Sequence, residues 1–96
     1  MATFITLGNF TDQGIRNIKE SPHRAEAFTA LASKMGLKVK SINWTAGNYD
    51  MVVITEGSDE AAMATLLATG TLGNVRTQTL RAYTAGEIQK IIGMMP

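Results

Sequence analysis

The seven residues Trp44-Thr-Ala-Gly-Asn-Tyr-Asp50 separate two apolar, β-branched segments, which run from Leu37 to Thr45 and from Asp50 to Glu56. Gly-Asn is a dipeptide suited to two-residue hairpin turns, because both residues tolerate the positive φ that such turns require. The stretch therefore predicts a β-hairpin. The other predicted elements are placed by how they would pack around the two strands of this hairpin.

The register of this hairpin decides which side chains share a face of the sheet. A two-residue turn places Gly47 and Asn48 at its centre. The pairs are then Ala46 with Tyr49, and Trp44 with Met51. One face is apolar and consists of Ile42, Trp44, Met51 and Val53. The other face ends in a polar cluster and consists of Asn43, Thr45, Asp50 and Val52. A shift of one residue would exchange the faces, so the sequence leaves the side of the polar cluster open.

The N-terminal part is predicted to form a strand and then helical segments. Residues 3–10 alternate in the manner of a strand, and Thr11-Asp12 can cap a helix after it. Ser21-Pro22 interrupts that helix, because proline lacks an amide donor but is tolerated in a first helical turn. We expect a kink or a restart there. An apolar stripe from Pro22 to Met35 predicts the main helix, and Gly36 suits its C-terminal cap.

The C-terminal half is predicted to form a helix, a strand and a short final helix. Ser58 is a natural N-cap, and Gly70 can end the first of these helices. Its expected buried stripe is Met63, Leu66 and Leu67. A threonine-rich strand is expected from Val75 to Tyr83. Thr84-Ala-Gly-Glu87 fits a capping box and begins the last helix. The apolar side of that helix is Ile88, Ile91 and Ile92.

The order of elements is β-α-β-β-α-β-α, which predicts an α+β, ferredoxin-like βαββαβ fold. The expected sheet is four-stranded and antiparallel with strand order 4-1-3-2. Both main helices are expected on one face, with a short C-terminal helix added. No linker or repeat interrupts the pattern, so residues 1–96 are expected to form a single domain.

Both faces of this sheet are predicted to be apolar. On one strand, Met51 and Val53 point to one face of the sheet, and Val52 and Ile54 point to the other. On another strand, Phe4 and Phe10 point to one face, and Ile5 and Leu7 point to the other. Since the helices cover one face, we expect a second copy of the chain to cover the other, in a dimeric α/β-barrel type of assembly. The alternative is a partly exposed apolar face under the C-terminal helix. A space between two sheets is a common shape for a small-ligand pocket.

Composition excludes several classes of protein. The net charge of +1 is too small to suggest a nucleic-acid partner or a membrane surface, and the absence of cysteine excludes disulfides, thiolate ligands and a cysteine nucleophile. No apolar run approaches the roughly 20 residues that span a bilayer, and no signal peptide is visible. A single histidine excludes a multi-histidine metal site within one chain. We expect a cytoplasmic protein without a metal or cofactor.

The hairpin sequence Trp44-Thr-Ala-Gly-Asn-Tyr-Asp50 resembles the signature of the GYD domain family. The likeness covers essentially the whole chain. It extends through Thr11-Asp-Gln-Gly-Ile-Arg-Asn-Ile-Lys19, Ser21-Pro-His-Arg-Ala25 and Leu72-Gly-Asn-Val-Arg-Thr-Gln-Thr-Leu-Arg-Ala82. The resemblance implies a ferredoxin-like domain and no established activity. In topology the chain is also similar to the ligand-binding domains of leucine-responsive regulators and to dimeric α/β-barrel proteins. Those likenesses imply ligand binding between subunits, or cofactor-independent oxidation or isomerisation.

The hairpin supplies the first candidate site residues. Asp50 and Tyr49 are candidates for binding a ligand, with Asp50 as hydrogen-bond acceptor or general base. The alternative is that Asp50 bonds the turn amides while Tyr49 packs over the hairpin. Asn43 and Thr45 join them as candidate ligand-binding residues, because polar groups that converge on a buried sheet face need partners.

Basic residues supply the other candidates. His23 is a candidate proton acceptor, or a surface residue on the first turn of a helix. Arg24 belongs with it to a basic group around the Ser21-Pro22 break, which could hold a carboxylate or phosphate or be a solvated charged face. Arg76 and Arg81 are five residues apart on one strand and point to opposite faces. One of them is expected on the second sheet face, where it would seek a carboxylate.

The sequence thus leaves three hypotheses. The first is a small-metabolite-binding protein that uses the second sheet face of a homodimer or higher homo-oligomer. The second is a cofactor-independent, dimeric α/β-barrel enzyme, similar to monooxygenases or isomerases, with Asp50 or His23 as proton acceptor. The third is a structural interaction module. The sequence does not identify a ligand.

Overall fold

The computed structural model describes residues 1–96 and has the predicted order of elements. The strands are β1 (Ala2–Phe10), β2 (Lys38–Trp44), β3 (Met51–Gly57) and β4 (Val75–Ala82). The helices are α1 (Asp12–Arg16), α2 (Ser21–Lys34), α3 (Asp59–Gly70) and α4 (Ala85–Ile92), with a 3-10 turn at Ile18–Glu20 before α2. All strand pairs are antiparallel, in the order β2-β3-β1-β4. The ferredoxin-like α+β prediction and its strand order are confirmed.

Local sequence signals explain where the helices begin. The side chains of Thr11 and Ser58 accept from the amides of Gly14 and Ala61, as N-caps do. The predicted restart at Ser21-Pro22 is confirmed, because α2 begins there after a 3-10 turn.

A capping box begins α4, as the sequence predicts. The Thr84 hydroxyl accepts from the Glu87 amide, and the Glu87 carboxylate accepts from the Thr84 amide. The hydrogen bond from the Thr84 amide stabilises the charged form of Glu87 and lowers the pKa of this carboxyl. The first turn of α4 is therefore well defined.

The sheet has an inner face, covered by α2 and α3, and an outer face on the other side. Side chains alternate between the two faces along each strand. On β1, Phe4, Thr6 and Gly8 are buried on the inner face. The outer face carries the half-buried or exposed side chains of Ile5, Leu7, Val52, Ile54 and Leu80. Both faces therefore carry apolar side chains, as predicted.

The hydrophobic core is small and lies at one end of the inner face. It consists of Phe4, Ala32, Leu37 and Ala62, beside the end where Ala2 pairs with Gly57. The expected buried stripe of α3 is wrong at Met63 and Leu67, which are 58% and 60% exposed, whereas Leu66 is half-buried on the inner side. Ala62 and Thr65 are buried instead. Helix α3 is apolar on nearly all sides, so periodicity could not choose the face, and small residues allow it to lie close to the sheet.

The outer face is left uncovered by the C-terminal helix. No residue of α4 is buried. Ile88, Ile91 and Ile92 are 41%, 41% and 57% exposed. Helix α4 therefore presents a second apolar surface rather than covering the first. None of the helices has the length and apolar character needed to cross a membrane.

Candidate functional site

The hairpin loop is wider than the predicted two-residue turn. Trp44 pairs with Met51 as expected, but the strands end there and residues 45–50 form the loop. The Thr45 hydroxyl donates to the Tyr49 carbonyl over 2.6 Å, and the Thr45 amide donates to the Asp50 carbonyl over 2.8 Å. This side-chain bond competes with the ladder that the predicted turn would need, so Ala46 and Tyr49 do not pair. Gly47 has φ +127°, which only glycine adopts readily.

Asp50 ties the hairpin to β1. Its carboxylate Oδ2 accepts from the Phe10 amide over 2.9 Å, and its own amide donates to the Gly8 carbonyl over 2.8 Å. The amide that it bonds belongs to β1, some forty residues away in sequence, and not to the turn. The aspartate therefore has a structural partner, which the sequence could not identify.

The role of Asp50 can be tested by stability. Asp50→Ala is expected to lower the free energy of unfolding by about 1–3 kcal/mol, because the part-buried Phe10 amide loses its acceptor. Asp50→Asn should cost much less, since its amide oxygen can still accept. Equilibrium urea unfolding of both variants measures the difference. Equal stability of Asp50→Ala and the unmodified protein would mean that this bond does not hold the hairpin.

Tyr49 reaches across the outer face. Its hydroxyl donates to Oε1 of Gln78 over 3.0 Å, and Gln78 lies opposite Leu7 in the sheet. Because β1 lies between the hairpin and β4, the Tyr49 side chain crosses β1 to make this bond. The sequence did not identify Gln78 as a partner of Tyr49. The only signal for it was its position on the outward-facing side of a strand rich in polar residues.

The polar cluster predicted from the hairpin register is not joined by hydrogen bonds between its side chains. Asn43 lies exposed on the outer face opposite Val52, while Thr45 and Asp50 bond backbone groups. The other face is as predicted, with Ile42, Trp44, Met51 and Val53 on the inner side. The Trp44 indole donates to the Ser21 hydroxyl of α2 over 2.9 Å, which places the hairpin against that helix.

Arg76 and Arg81 point to opposite faces, as their spacing predicts. Arg76 lies exposed on the outer face opposite Asn9 and forms no ion pair within the chain. Arg81 lies on the inner side, 4.4 Å from the centre of the Tyr83 ring and 3.7 Å from the Glu87 carboxylate. The expected carboxylate partner on the outer face is therefore absent from a single copy of the chain.

His23 and Arg24 lie side by side in the first turn of α2 but differ in surroundings. His23 is exposed and its side chain makes no hydrogen bond. Arg24 is half-buried, and its guanidinium donates to the carbonyls of Asn17 over 2.9 Å and Gly14 over 3.3 Å. Arg24 thus ties α2 to α1, and nothing in the structure joins His23 to Asp50.

A cavity of about 260 Å³ lies between α2, α3 and the inner face. Its wall is mainly apolar, and Ser21 and Arg24 line it from the first turn of α2. The apolar wall includes Phe10, Phe28, Leu31, Ile42, Val53 and Leu66. Sequence reasoning placed one candidate ligand site on the other face and another at the basic group that includes Arg24. It missed the cavity itself, because each apolar residue alone looks like part of a filled core.

Comparison with known proteins gives two findings. The model of the GYD domain matches residues 4–92. A protein of Thermus thermophilus, named "Glutamine synthetase and cystathionine beta-lyase binding protein", is 32% identical over 90 residues. That alignment covers 92% of this chain and 95% of the relative. The two proteins therefore correspond over nearly their whole lengths.

Proposed function

The chain belongs to the GYD domain family, and on that basis we propose that it is a homodimeric, non-catalytic binding protein that docks on metabolic enzymes. The observation that carries the proposal is the uncovered apolar outer face of the sheet. The name of the T. thermophilus relative supports enzymes as the second partner.

The accessible surface of the whole chain is large enough to support self-association. The accessible surface of the chain is 6440 Å², whereas a folded monomer of this size exposes about 5,400 Å². The excess is comparable to the roughly 800 Å² that each partner buries in a standard interface. One patch that packs against its own copy forms a closed two-fold dimer.

Helix α4 supplies the surface proposed for the enzyme. Its three isoleucines follow the i, i+3, i+4 spacing of a helix that lays its apolar side into a groove. The capping box and the pair between Arg81 and Glu87 hold its first turn to β4. Because the outer face is used by the dimer, α4 remains free for a different partner.

Sedimentation velocity with purified glutamine synthetase and cystathionine beta-lyase from the protein's own host tests this function. We expect the protein alone to sediment as a dimer, and to form a complex with at least one enzyme at micromolar concentration. Ile91→Glu should lose the complex and keep the dimer, because it places a charge on the apolar side of α4. The matched control Gln89→Glu adds the same charge to α4 next to its apolar side. This variant should keep both the dimer and the complex.

Two outcomes would overturn parts of the proposal. Absence of a complex with either enzyme would contradict enzyme docking. A complex that persists in Ile91→Glu would remove α4 as the contact.

Small-metabolite binding between the two sheets is a second candidate function. It is supported by Tyr49, Gln78 and the unpaired Arg76, which place hydrogen-bonding groups on the outer face that a dimer would enclose. The catalytic alternative, with Asp50 or His23 as proton acceptor, stays a prediction without a supporting contact.

A further inference from the structure

We propose that the cavity between α2, α3 and the inner face binds a small carboxylic acid with an apolar, compact body such as an aromatic ring. This site lies on the opposite side of the sheet from the proposed dimer contact. It does not depend on enzyme docking, and its test uses a different measurement.

The size and wall of the cavity determine the body of the ligand. An apolar cavity of about 150 Å³ in another protein holds benzene, and the cavity here measures about 260 Å³. It therefore has room for a ring with a short chain. Eleven of the 18 lining residues are hydrophobic, so a polar body would lose its hydration over most of its surface.

Helix α2 contributes Ser21 and Arg24 to the polar part of the lining, which also includes Thr6, Thr69, Asn74 and Thr77. Ser21 and Arg24 lie three residues apart on α2 and so project from the same side of the helix. Ser21 is 3% exposed, and its hydroxyl oxygen accepts from the Trp44 indole. The hydroxyl proton has no acceptor in the structure, so a ligand oxygen can take it.

Arg24 determines the charge of the ligand. Two of its five N–H groups donate to the carbonyls of Asn17 and Gly14, which leaves three without an acceptor. The ion pairs of the chain are Lys40 with Glu56 and Arg81 with Glu87, so no carboxylate neutralises this half-buried guanidinium. One guanidinium and one hydroxyl match the two oxygens of a carboxylate.

The cavity also has an entrance. Ala27 of α2 and Leu72, which precedes β4, both line it, and both are exposed, Leu72 to 62%. A ligand can therefore enter between α2 and the loop before β4 without opening the sheet.

Titration with 3-phenylpropionate and its neutral counterpart 3-phenylpropanol, followed by amide NMR shifts, tests the proposal. We expect the acid to bind at least tenfold more tightly than the alcohol, with the largest shifts at Ser21, Arg24 and Phe28 and small ones on the outer face. Absence of acid binding at millimolar concentration, or shifts centred on the outer face, would overturn the site.

Variants separate the charge from the cavity. Arg24→Gln should weaken binding of the acid at least tenfold and leave binding of the alcohol unchanged. Lys34→Gln removes the same charge from the far end of α2 and should alter the binding of neither probe. Ala25→Leu should fill the cavity and abolish binding of both probes. Equal affinity of the acid for Arg24→Gln and Lys34→Gln would overturn the carboxylate assignment. The wild-type shifts locate the site even where a variant folds poorly.

Discussion

Ile54→Glu is expected to convert the proposed dimer into a monomer. Ile54 lies on the outer face between Ile5 of β1 and Ser41 of β2. In a two-fold dimer the substitution buries two carboxylates without partners, at a cost of several kcal/mol each. The dissociation constant should rise by at least about a thousandfold, which corresponds to roughly 4 kcal/mol. The fold of each subunit should survive, because Ile54 is only half-buried in a single copy.

Sedimentation equilibrium over a range of concentrations measures this change. Met63→Glu is the matched control, because it replaces an exposed apolar side chain of α3, on the helical layer, with the same charge. We expect it to leave the dimer intact. A monomeric unmodified protein, or a dimer broken by Met63→Glu and not by Ile54→Glu, would show that the outer face is not the contact.

Gly14→Ala is expected to lower the free energy of unfolding by about 3 kcal/mol or more. A Cβ at Gly14 would lie 1.9 Å from the carbonyl oxygen of Asn74 and 2.9 Å from its carbonyl carbon. That backbone cannot easily move away, since the Thr11 amide donates to Asn74 O over 3.0 Å and the Thr11 hydroxyl donates to Gly73 O over 2.6 Å. The start of α1 must therefore separate from the loop before β4.

Gly70→Ala is the control for this prediction. Gly70 lies in α3, and a Cβ at this position would meet no atom within 4 Å beyond its own helix backbone and chain neighbours. Alanine should therefore stabilise the helix by about 0.5–1 kcal/mol. Equilibrium urea unfolding of both variants measures the two effects, which should have opposite signs. If Gly14→Ala is as stable as the unmodified protein, the close approach of α1 to Asn74 is wrong.

The two glycine substitutions are expected to change the free energy of unfolding in opposite directions, which helix propensity alone does not predict. Both glycines lie in helices, and a local rule predicts a gain for alanine at each. The difference comes from Asn74, which is sixty residues from Gly14 in the chain and is brought to it by the pairing of β1 with β4. No pattern within α1 contains that information.

The sequence predicted the candidate site only in part, again because some of its contacts join residues far apart in the chain. The pairing of Trp44 with Met51 and the apolar inner side of the hairpin follow from strand alternation, and both are confirmed. The two-residue turn was wrong, because Thr45 bonds the Tyr49 carbonyl and Asp50 bonds β1. Side chains that bond distant backbone groups override a turn that the local sequence would allow.

The sequence by itself determined the order of the strands and helices, the N-terminal caps of α1, α3 and α4, and the apolar character of both sheet faces. Those features depend on spacing and on hydrogen bonds within a few residues, which are visible in the chain. The tertiary structure alone decided which side of α3 is buried, that Asp50 holds the Phe10 amide, and that Ser21 and Arg24 share a cavity. Each of these depends on close packing or contacts between residues far apart in sequence, and such contacts exist only once the sheet has formed.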